Sequence, residues 1–461
     1  MSTPPLASGP QGPHALWPLL ETVLDALHRG TLARPGPLPA GGPAAVAARL
    51  RDTVGDLLPE HGDPTALRTL VTALAEGAAD PAHPLCTAHL HCPPLAVATA
   101  ADLAASALNP SLDSWDQAPA ASALEDLVTR AVAEQTGMAD ALVTTGGTES
   151  NQLALLLARE AHGSRLRLLH AANAHHSLPR AAWLLGLPEP LALPAPAGTL
   201  DAAALADALR RVRGPVLVAA TAGTTDAGLI DPLPEIAALC RAHQARLHID
   251  AAYAAPLLFS PTHRSALDGL EQADTVALDL HKLGWQPIAA GFLAIRAAAD
   301  LEALRHRTGY LNAEDDTEAG LPDLLGRSLR TSRRPDALKI AVTFRTLGRT
   351  GLAALVDQVI GRAHTLADLV AARPDLRLYR RPTLSTVLFR PRGSTDAHTA
   401  AVRRHLLARG HAVLGRARPE GRLWLKATLL NPLSTSDDLG RLLDHVREAT
   451  RATRPEGNAP R

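Results

Sequence analysis

The sequence of 461 residues has little lysine, few aromatic residues, little cysteine and no net charge. Lysine occurs only as Lys282, Lys339 and Lys426, among 46 basic residues. The Ala-, Pro- and Gly-rich composition gives that scarcity a plain origin in GC-rich coding. It also means that any site needing a primary amine has three candidates. Lys plus Arg and Asp plus Glu both number 46, which excludes nucleic-acid binding through bulk positive charge. No apolar run approaches the roughly 20 residues of a membrane-spanning helix. The start, Met1-Ser2-Thr3-Pro4-Pro5, lacks the basic and apolar regions of a signal peptide. Cys86, Cys92 and Cys240 are odd in number and form no C-x-x-C, which fits a reducing compartment. A cytoplasmic protein is expected. His83, Cys86, His89, His91 and Cys92 crowd together, but their spacing matches no common zinc pattern, so no metal is expected.

What is present is globular: 46% hydrophobic and 20% charged residues, in a chain too long for one core. Residues 1–45 read as a Pro/Gly-rich arm with a short helix near Trp17–His28. Helices are predicted at 44–58, 65–76 and 96–108. From about residue 120, helices alternate with short apolar runs at 141–143, 166–170, 216–220, 246–250, 275–278 and 291–295. That alternation is the pattern of an α/β protein with a mostly parallel sheet covered by helices on both faces. After about 335, two long helices (335–348 and 351–372), a strand pair within 376–389, a helix at 397–408, a strand at 422–428 and a last helix at 437–450 predict a smaller α+β domain. The expected organisation is an N-terminal helical arm or dimerisation segment (1–105), a large domain (106–345) and a small C-terminal domain (346–461).

Four features fall at predicted strand ends, where α/β sheets place their sites. Thr145-Gly146-Gly147-Thr148-Glu149-Ser150-Asn151 is a Gly-rich strand-to-helix turn whose backbone N–H groups suit a phosphate. It is not G-x-G-x-x-G, so a dinucleotide is not the natural ligand. His248-Ile249-Asp250-Ala251-Ala252-Tyr253 ends a buried strand on a carboxylate that needs a partner, either a helix start or a protonated ring nitrogen. Asp279-Leu280-His281-Lys282 puts a rare lysine directly after an apolar strand, and desolvated lysine amines form Schiff bases with aldehydes. Lys339 falls inside a helix and Lys426 inside a strand. Ala174-His175-His176-Ser177 supplies a histidine at another strand end. Each feature alone has an ordinary structural reading. Together with Thr224-Thr225 they form the set that a pyridoxal-phosphate site requires: a lysine for the aldehyde, an aspartate for the ring nitrogen and a turn for the phosphate.

With these residues in place, the sequence resembles the group II pyridoxal-phosphate-dependent amino acid decarboxylases, of the aspartate aminotransferase-like fold type I. The likeness spans about residues 80–450. It is carried by His89-Leu90-His91-Cys92-Pro93, the stretch from Asn109 to Gln117, the GGTESN turn, Gly223 to Gly228, HIDAAY, DLHK and Ser332 to Lys339. Within the family it is most similar to the bacterial L-2,4-diaminobutyrate decarboxylases, with the lysine decarboxylases of siderophore assembly almost as close. The resemblance implies that Lys282 holds the cofactor aldehyde, that His175 and Ala252 lie on opposite faces of its ring, and that Asp250 pairs with the ring nitrogen. It places Thr225 near the ring hydroxyl, Gly147 and Thr148 at the phosphate, and Asp279 and His281 nearby. The catalytic set is then Lys282, His175 and Asp250. The reaction is loss of the α-carboxyl as CO2, and a homodimer with shared active sites is implied.

Some positions depart from the family. The expected mobile loop, Asn312–Thr331, has no tyrosine to return a proton, which leaves His175 first and Tyr310 second as donors. Gly284 and Pro335 stand where relatives usually have aromatic residues. Asp113 replaces an aromatic of the aromatic-specific relatives and suits an ammonium-bearing side chain. His89, His91, Asp113 and Tyr310 are therefore the candidate substrate contacts. An acidic loop run, Glu314-Asp315-Asp316 with Glu318, adds to the diamino-acid likeness. Other readings are an aminotransferase or another carbon–carbon lyase of the same fold, or a non-catalytic binder of the cofactor.

Overall fold

The computed structural model describes residues 4–305 and 308–454. The N-terminal stretch is more helical than its composition suggests. Helix α1 (Gly12–Ala33) has 22 residues, with Pro13 in its first turn, where proline costs no hydrogen bond. The Pro and Gly content masks an apolar repeat at Leu16, Leu20, Val23 and Leu27, spaced for one helix face. Helices α2 (Gly42–Val54) and α3 (Ala66–Gly77) follow. At Gly30 of α1 a Cβ would lie 2.5 Å from the Thr72 carbonyl of α3, so the close approach of these helices requires glycine.

The chain divides into two compact units. One comprises Pro94–Ile360 with Pro382–Leu384. It contains α4 (Ala96–Leu108), α5 (Pro119–Thr136), α6 (Gly147–His162), α7 (Ser177–Leu184), α8 (Ala202–Arg211) and α9 (Leu233–Ala242). Its sheet has strands β1 (Asp140–Thr144), β2 (Arg167–Ala171), β3 (Leu191–Leu193), β4 (Val216–Thr221), β5 (Arg246–Asp250), β6 (Thr275–Asp279) and β7 (Gly291–Ile295). The order is β1-β7-β6-β5-β4-β2-β3. The run from β3 to β6 is parallel, and β7 is antiparallel to both β1 and β6. Strands β4, β6 and β7 are buried along their whole length, as expected for a sheet covered on both faces. β3 was not foreseen, because its three residues carry too little pattern to separate from a loop. A short acidic helix, α10 (Glu314–Glu318), lies in the segment after β7.

The other unit comprises Met1–Pro93, Gly361–Arg381 and Ser385–Arg461. Its antiparallel sheet contains β8 (Leu376–Leu378), β9 (Thr386–Pro391), β10 (Gly415–Ala417) and β11 (Trp424–Thr428), in the order β10-β11-β9-β8. Helix α11 (Ala337–Ala371) leads into it, broken at Gly348 (φ 60°, ψ −175°) between the two predicted helices. α12 (Asp396–Ala408) and α13 (Ser436–Ala452) complete this unit, around a core including Val370, Phe389, Leu406, Leu425 and Leu443. α13 starts with a capping box, in which Thr435 and Asp438 satisfy each other's backbone N–H groups.

Candidate active site

The parallel strands deliver the chemistry-bearing residues at their carboxyl ends. β1 runs into the turn Thr145-Gly146-Gly147, and α6 starts at Gly147. Gly146 has φ 148° and ψ −178°, a conformation essentially reserved for glycine. A Cβ there would lie 2.7 Å from the His281 ring, and one at Gly147 would lie 2.9 Å from the Ala252 methyl. The same two positions face the Asp279 carboxylate at 3.4 Å. The turn is thus a cradle of bare backbone at a helix start, where N–H groups lack intrahelical acceptors. Thr148 is exposed on the first turn of α6.

Asp279 ends β6 and is 1% exposed. Its Oδ2 lies 2.9 Å from Lys282 Nζ and 3.4 Å from His281 Nε2. Its Oδ1 is buried and has no hydrogen-bond partner among the described residues. Burial holds the His281 imidazole below the usual histidine range; Asp279 opposes this and Lys282 reinforces it. Lys282 retains 20% side-chain exposure. The other lysines are differently placed. Lys339 is fully buried, with Nζ 3.0 Å from Asp336 Oδ1 and 3.1 Å from Asp102 Oδ1. Lys426 is buried within β11.

Asp250 ends β5, 5% exposed. Its Oδ1 accepts from the Ala252 backbone N–H at 3.1 Å and its Oδ2 from Asn151 Nδ2 at 2.9 Å. His175 follows β2 and is half-buried, with Nδ1 2.7 Å from Ser177 Oγ. Burial holds its imidazole below the usual range, against the pull of Asp250. Thr225 is exposed in the turn after β4, beside buried Thr224, whose hydroxyl accepts from the Leu229 N–H. Gly146, Gly147, Ala252, Asp279, His281 and Lys282 therefore meet directly. Asp250 joins them through Ala252, and His175 through the Ser177 and Asn151 hydrogen bonds. The candidate substrate residues are not joined in this way. Asp113 is buried in the same unit and accepts from Gln117 Nε2 at 2.6 Å. Tyr310 is 81% exposed, and the acidic run lies exposed on α10. His89 and His91 are exposed positions of the other unit.

Sequence reasoning missed Asn151, Ser177 and His248. Asn151 is buried on α6; its Oδ1 lies 2.9 Å from His248 Nε2, and its Nδ2 also reaches Ser177 Oγ at 2.8 Å. His248 is wholly buried and its ring pKa is pushed down to about 4, chiefly by desolvation. The signal was available in part. His248 lies two residues before Asp250 in one strand, so both project to the same face.

Comparison with known proteins shows the family. Residues 58–392 match the pyridoxal-dependent decarboxylase conserved domain. The L-2,4-diaminobutyrate decarboxylase of Rhizobium meliloti (strain 1021) is 44% identical over 425 residues, covering 87% of this chain and 86% of that one. The enzyme of the same name from Acinetobacter baumannii is 33% identical over 405 residues, covering 79% of each. Among solved structures, the glutamate decarboxylase domain of diaminobutyrate-pyruvate transaminase and L-2,4-diaminobutyrate decarboxylase from Vibrio parahaemolyticus superimposes with a TM-score of 0.85 at 29% identity, covering 97% and 98% of the two chains. The fold and site define a pyridoxal-phosphate enzyme of fold type I. The chain belongs to the pyridoxal-dependent decarboxylase family, and it is a carboxy-lyase that acts on an amino acid. The residues present fit the cofactor: the bare turn at Gly146–Gly147 suits its phosphate, the adjoining amine of Lys282 its aldehyde, and the buried carboxylate of Asp250 a protonated ring nitrogen.

Proposed function

We propose that the enzyme removes the α-carboxyl of a diamino acid, L-2,4-diaminobutyrate before lysine, to give a diamine and CO2. The carrying observation is the meeting of Lys282, Asp279 and the Gly146–Gly147 turn beside Asp250 and Ala252. The names of the 44% and 33% identical relatives support the substrate.

The residues take these roles. Lys282 presents the amine that holds the cofactor aldehyde, and Asp279 keeps that amine in place. Gly147 and Thr148 offer backbone N–H groups to the phosphate. Asp250, fixed by Asn151 and Ala252, keeps a proton on the ring nitrogen. His175 and Ala252 would hold the ring from its two faces and Thr225 would hydrogen-bond near the ring hydroxyl, with His281 beside the Gly146–Gly147 turn. Bound pyridoxal phosphate supplies the electron sink for the pair left when CO2 departs. His175 returns the proton, with Tyr310 the second candidate. Asp113 receives the distal ammonium of the substrate.

The enzyme acts in the cytoplasm as a homodimer that shares its active sites, with residues 1–105 as the dimerisation segment, 106–345 as the cofactor domain and 346–461 as the small domain. Exposed apolar side chains on α1 and α3, including Trp17, Leu24 and Leu74, support a second copy as their cover. The absence of a helix long and apolar enough to cross a membrane among the described residues is compatible with this. The test is amine analysis with added pyridoxal phosphate and L-2,4-diaminobutyrate, ornithine, lysine, glutamate or an aromatic amino acid. The expected product is 1,3-diaminopropane, in preference to cadaverine. A stable amine form of the cofactor with a keto-acid product would replace this reading with an aminotransferase.

A further inference from the structure

Asn151 sits at a branch point where every polar atom of its side chain is used. One amide hydrogen goes to Asp250 Oδ2 at 2.9 Å and the other to Ser177 Oγ at 2.8 Å. The amide oxygen meets His248 Nε2 at 2.9 Å, while His248 Nδ1 meets Thr275 Oγ1 at 2.9 Å. The amide has only one sensible orientation. Flipped, its oxygen would face the Asp250 carboxylate, acceptor against acceptor. His248 must then donate from Nε2, and its Nδ1 accepts the Thr275 hydroxyl proton.

The consequence reaches His175. Ser177 Oγ already accepts from Asn151, so its single hydroxyl proton is available for His175 Nδ1 at 2.7 Å. The Ser177 backbone N–H points at the same nitrogen, at 3.4 Å. Two donors converge on Nδ1, which makes it an acceptor. We infer that Ser177, held by Asn151 and His248, is a positioning residue that fixes the neutral His175 ring with its proton on Nε2, and that the same amide couples this ring to Asp250. The inference rests on the proposed site reading and deepens it, because it names Nε2, the ring nitrogen not engaged by Ser177, as the one that carries the hydrogen-bond donor of His175.

Protonating Nδ1 as well would require the Ser177 hydroxyl to turn round and would set the new N–H against the Ser177 backbone N–H. Around the ring, Asp250 and Asp279 favour the charged form, His176 and Lys282 oppose it, and burial outweighs the rest. The His176 ring is 4.3 Å away, centroid to centroid. Losing the Ser177 hydroxyl removes a donor that favours the neutral ring, so the His175 pKa should rise.

The experiment uses the full-length holoenzyme labelled with 15N-histidine and long-range 1H–15N correlation spectra. The His175 signals are identified by their loss in His175→Gln. In the wild-type enzyme Nδ1 should be unprotonated and Nε2 protonated at neutral pH. In Ser177→Ala the titration midpoint of His175 should rise by about half a pH unit or more, a roughly threefold change in proton affinity. Its kcat should fall about tenfold with KM within threefold, the acidic limb of the kcat profile should move the same way, and Ser177→Thr should restore these values. A wild-type ring protonated on Nδ1 overturns the inference, whether or not the alanine variant folds. So does a folded Ser177→Ala that titrates like the wild type. Failure of the site reading is separately visible: borohydride fixation of the cofactor at Lys339 or Lys426 would remove that reading without altering the tautomer result.

Discussion

Lys282 Nζ lies 2.9 Å from Oδ2 of Asp279, three residues earlier, and that carboxylate is 1% exposed and turned toward the Gly146–Gly147 backbone. The pair joins two strand ends: the amine and the Gly146–Gly147 turn are set relative to each other by one buried side chain. A buried carboxylate is costly unless paired, so Asp279 must hold a cation at this spot.

Asp279→Asn keeps the shape and removes the charge. Cofactor affinity should fall about tenfold or more, read by fluorescence titration, because a neutral amide no longer holds the Lys282 amine in place by a charge-assisted hydrogen bond. Lys282→Ala should abolish borohydride-stable labelling and lower kcat by about a thousandfold or more. Labelling that persists in Lys282→Ala would exclude Lys282 as the attachment point.

The glycine turn can be tested without touching a charged group. Gly146→Ala forces a methyl into a conformation that costs about 1–3 kcal/mol and toward the His281 ring. The unfolding temperature should drop by several degrees and cofactor affinity should weaken. Gly440→Ala is the control. It lies in α13 with open space around it, where alanine should be neutral or stabilising by about 0.5–1 kcal/mol. Equal effects of the two changes would refute a special role for the turn.

His248 gives the fold a pH dependence of definite sign. Its pKa is about 4 in the folded chain against 6.5 for a free ring. Between those values the unfolded state binds the proton and the folded state does not. Stability therefore falls as pH drops from 6.5 to 4, by about 3 kcal/mol from this residue, and this contribution is flat outside the window. Comparing unfolding temperatures of wild type and His248→Gln at pH 7 and pH 4.5 checks this. The variant should be less stable at pH 7 yet lose less on acidification. A parallel loss in both would show that His248 stays protonated or exposed.

The lysine count also defines a stability test. Lys339 is fully buried between Asp102 and Asp336. Removing it in Lys339→Ala leaves two acids facing each other and should cost about 3–5 kcal/mol. Borohydride labelling at Lys282 should survive in whatever fraction stays folded at low temperature. Loss of label in that folded fraction would give Lys339 a part in the chemistry.

The strand-end residues were legible in the sequence because strand, turn and helix each have a local signature. Runs such as 216–220 and 291–295 are apolar enough to announce themselves, and the residue following each run is fixed by counting. What the sequence did not carry was contact across the sheet. Asn151, Ser177 and His248 lie 26 to 97 residues apart and join only when β2, β5 and α6 are assembled. Nothing local distinguishes Ser177 from a helix-capping serine, or His248 from any strand histidine. The N-terminal helices were underread for a different reason: Pro13 and Pro18 signal a breaker locally, while the apolar face of α1 gains its stability from packing on α3.

Asp113 tests the substrate. It is 7% exposed, and Oδ1 accepts from Gln117 Nε2, whose other contact is the Ser114 hydroxyl 2.9 Å away. The neutral glutamine amide supplies a hydrogen bond but no counter-charge, so this carboxylate is suited to a cation brought by the substrate. A charge-assisted hydrogen bond contributes about 1.5–3 kcal/mol, equivalent to roughly 10- to 100-fold in affinity. Asp113→Asn should therefore raise KM for L-2,4-diaminobutyrate by at least tenfold. Cofactor affinity should stay the same, since Asp113 makes no contact with the Lys282–Asp279 pair. Substrates lacking a distal ammonium should gain relative to the diamino acid, because the variant no longer presents a buried negative charge to them. An unchanged KM for the diamino acid would assign Asp113 to the Gln117 turn alone and move the search for the ammonium-binding group elsewhere.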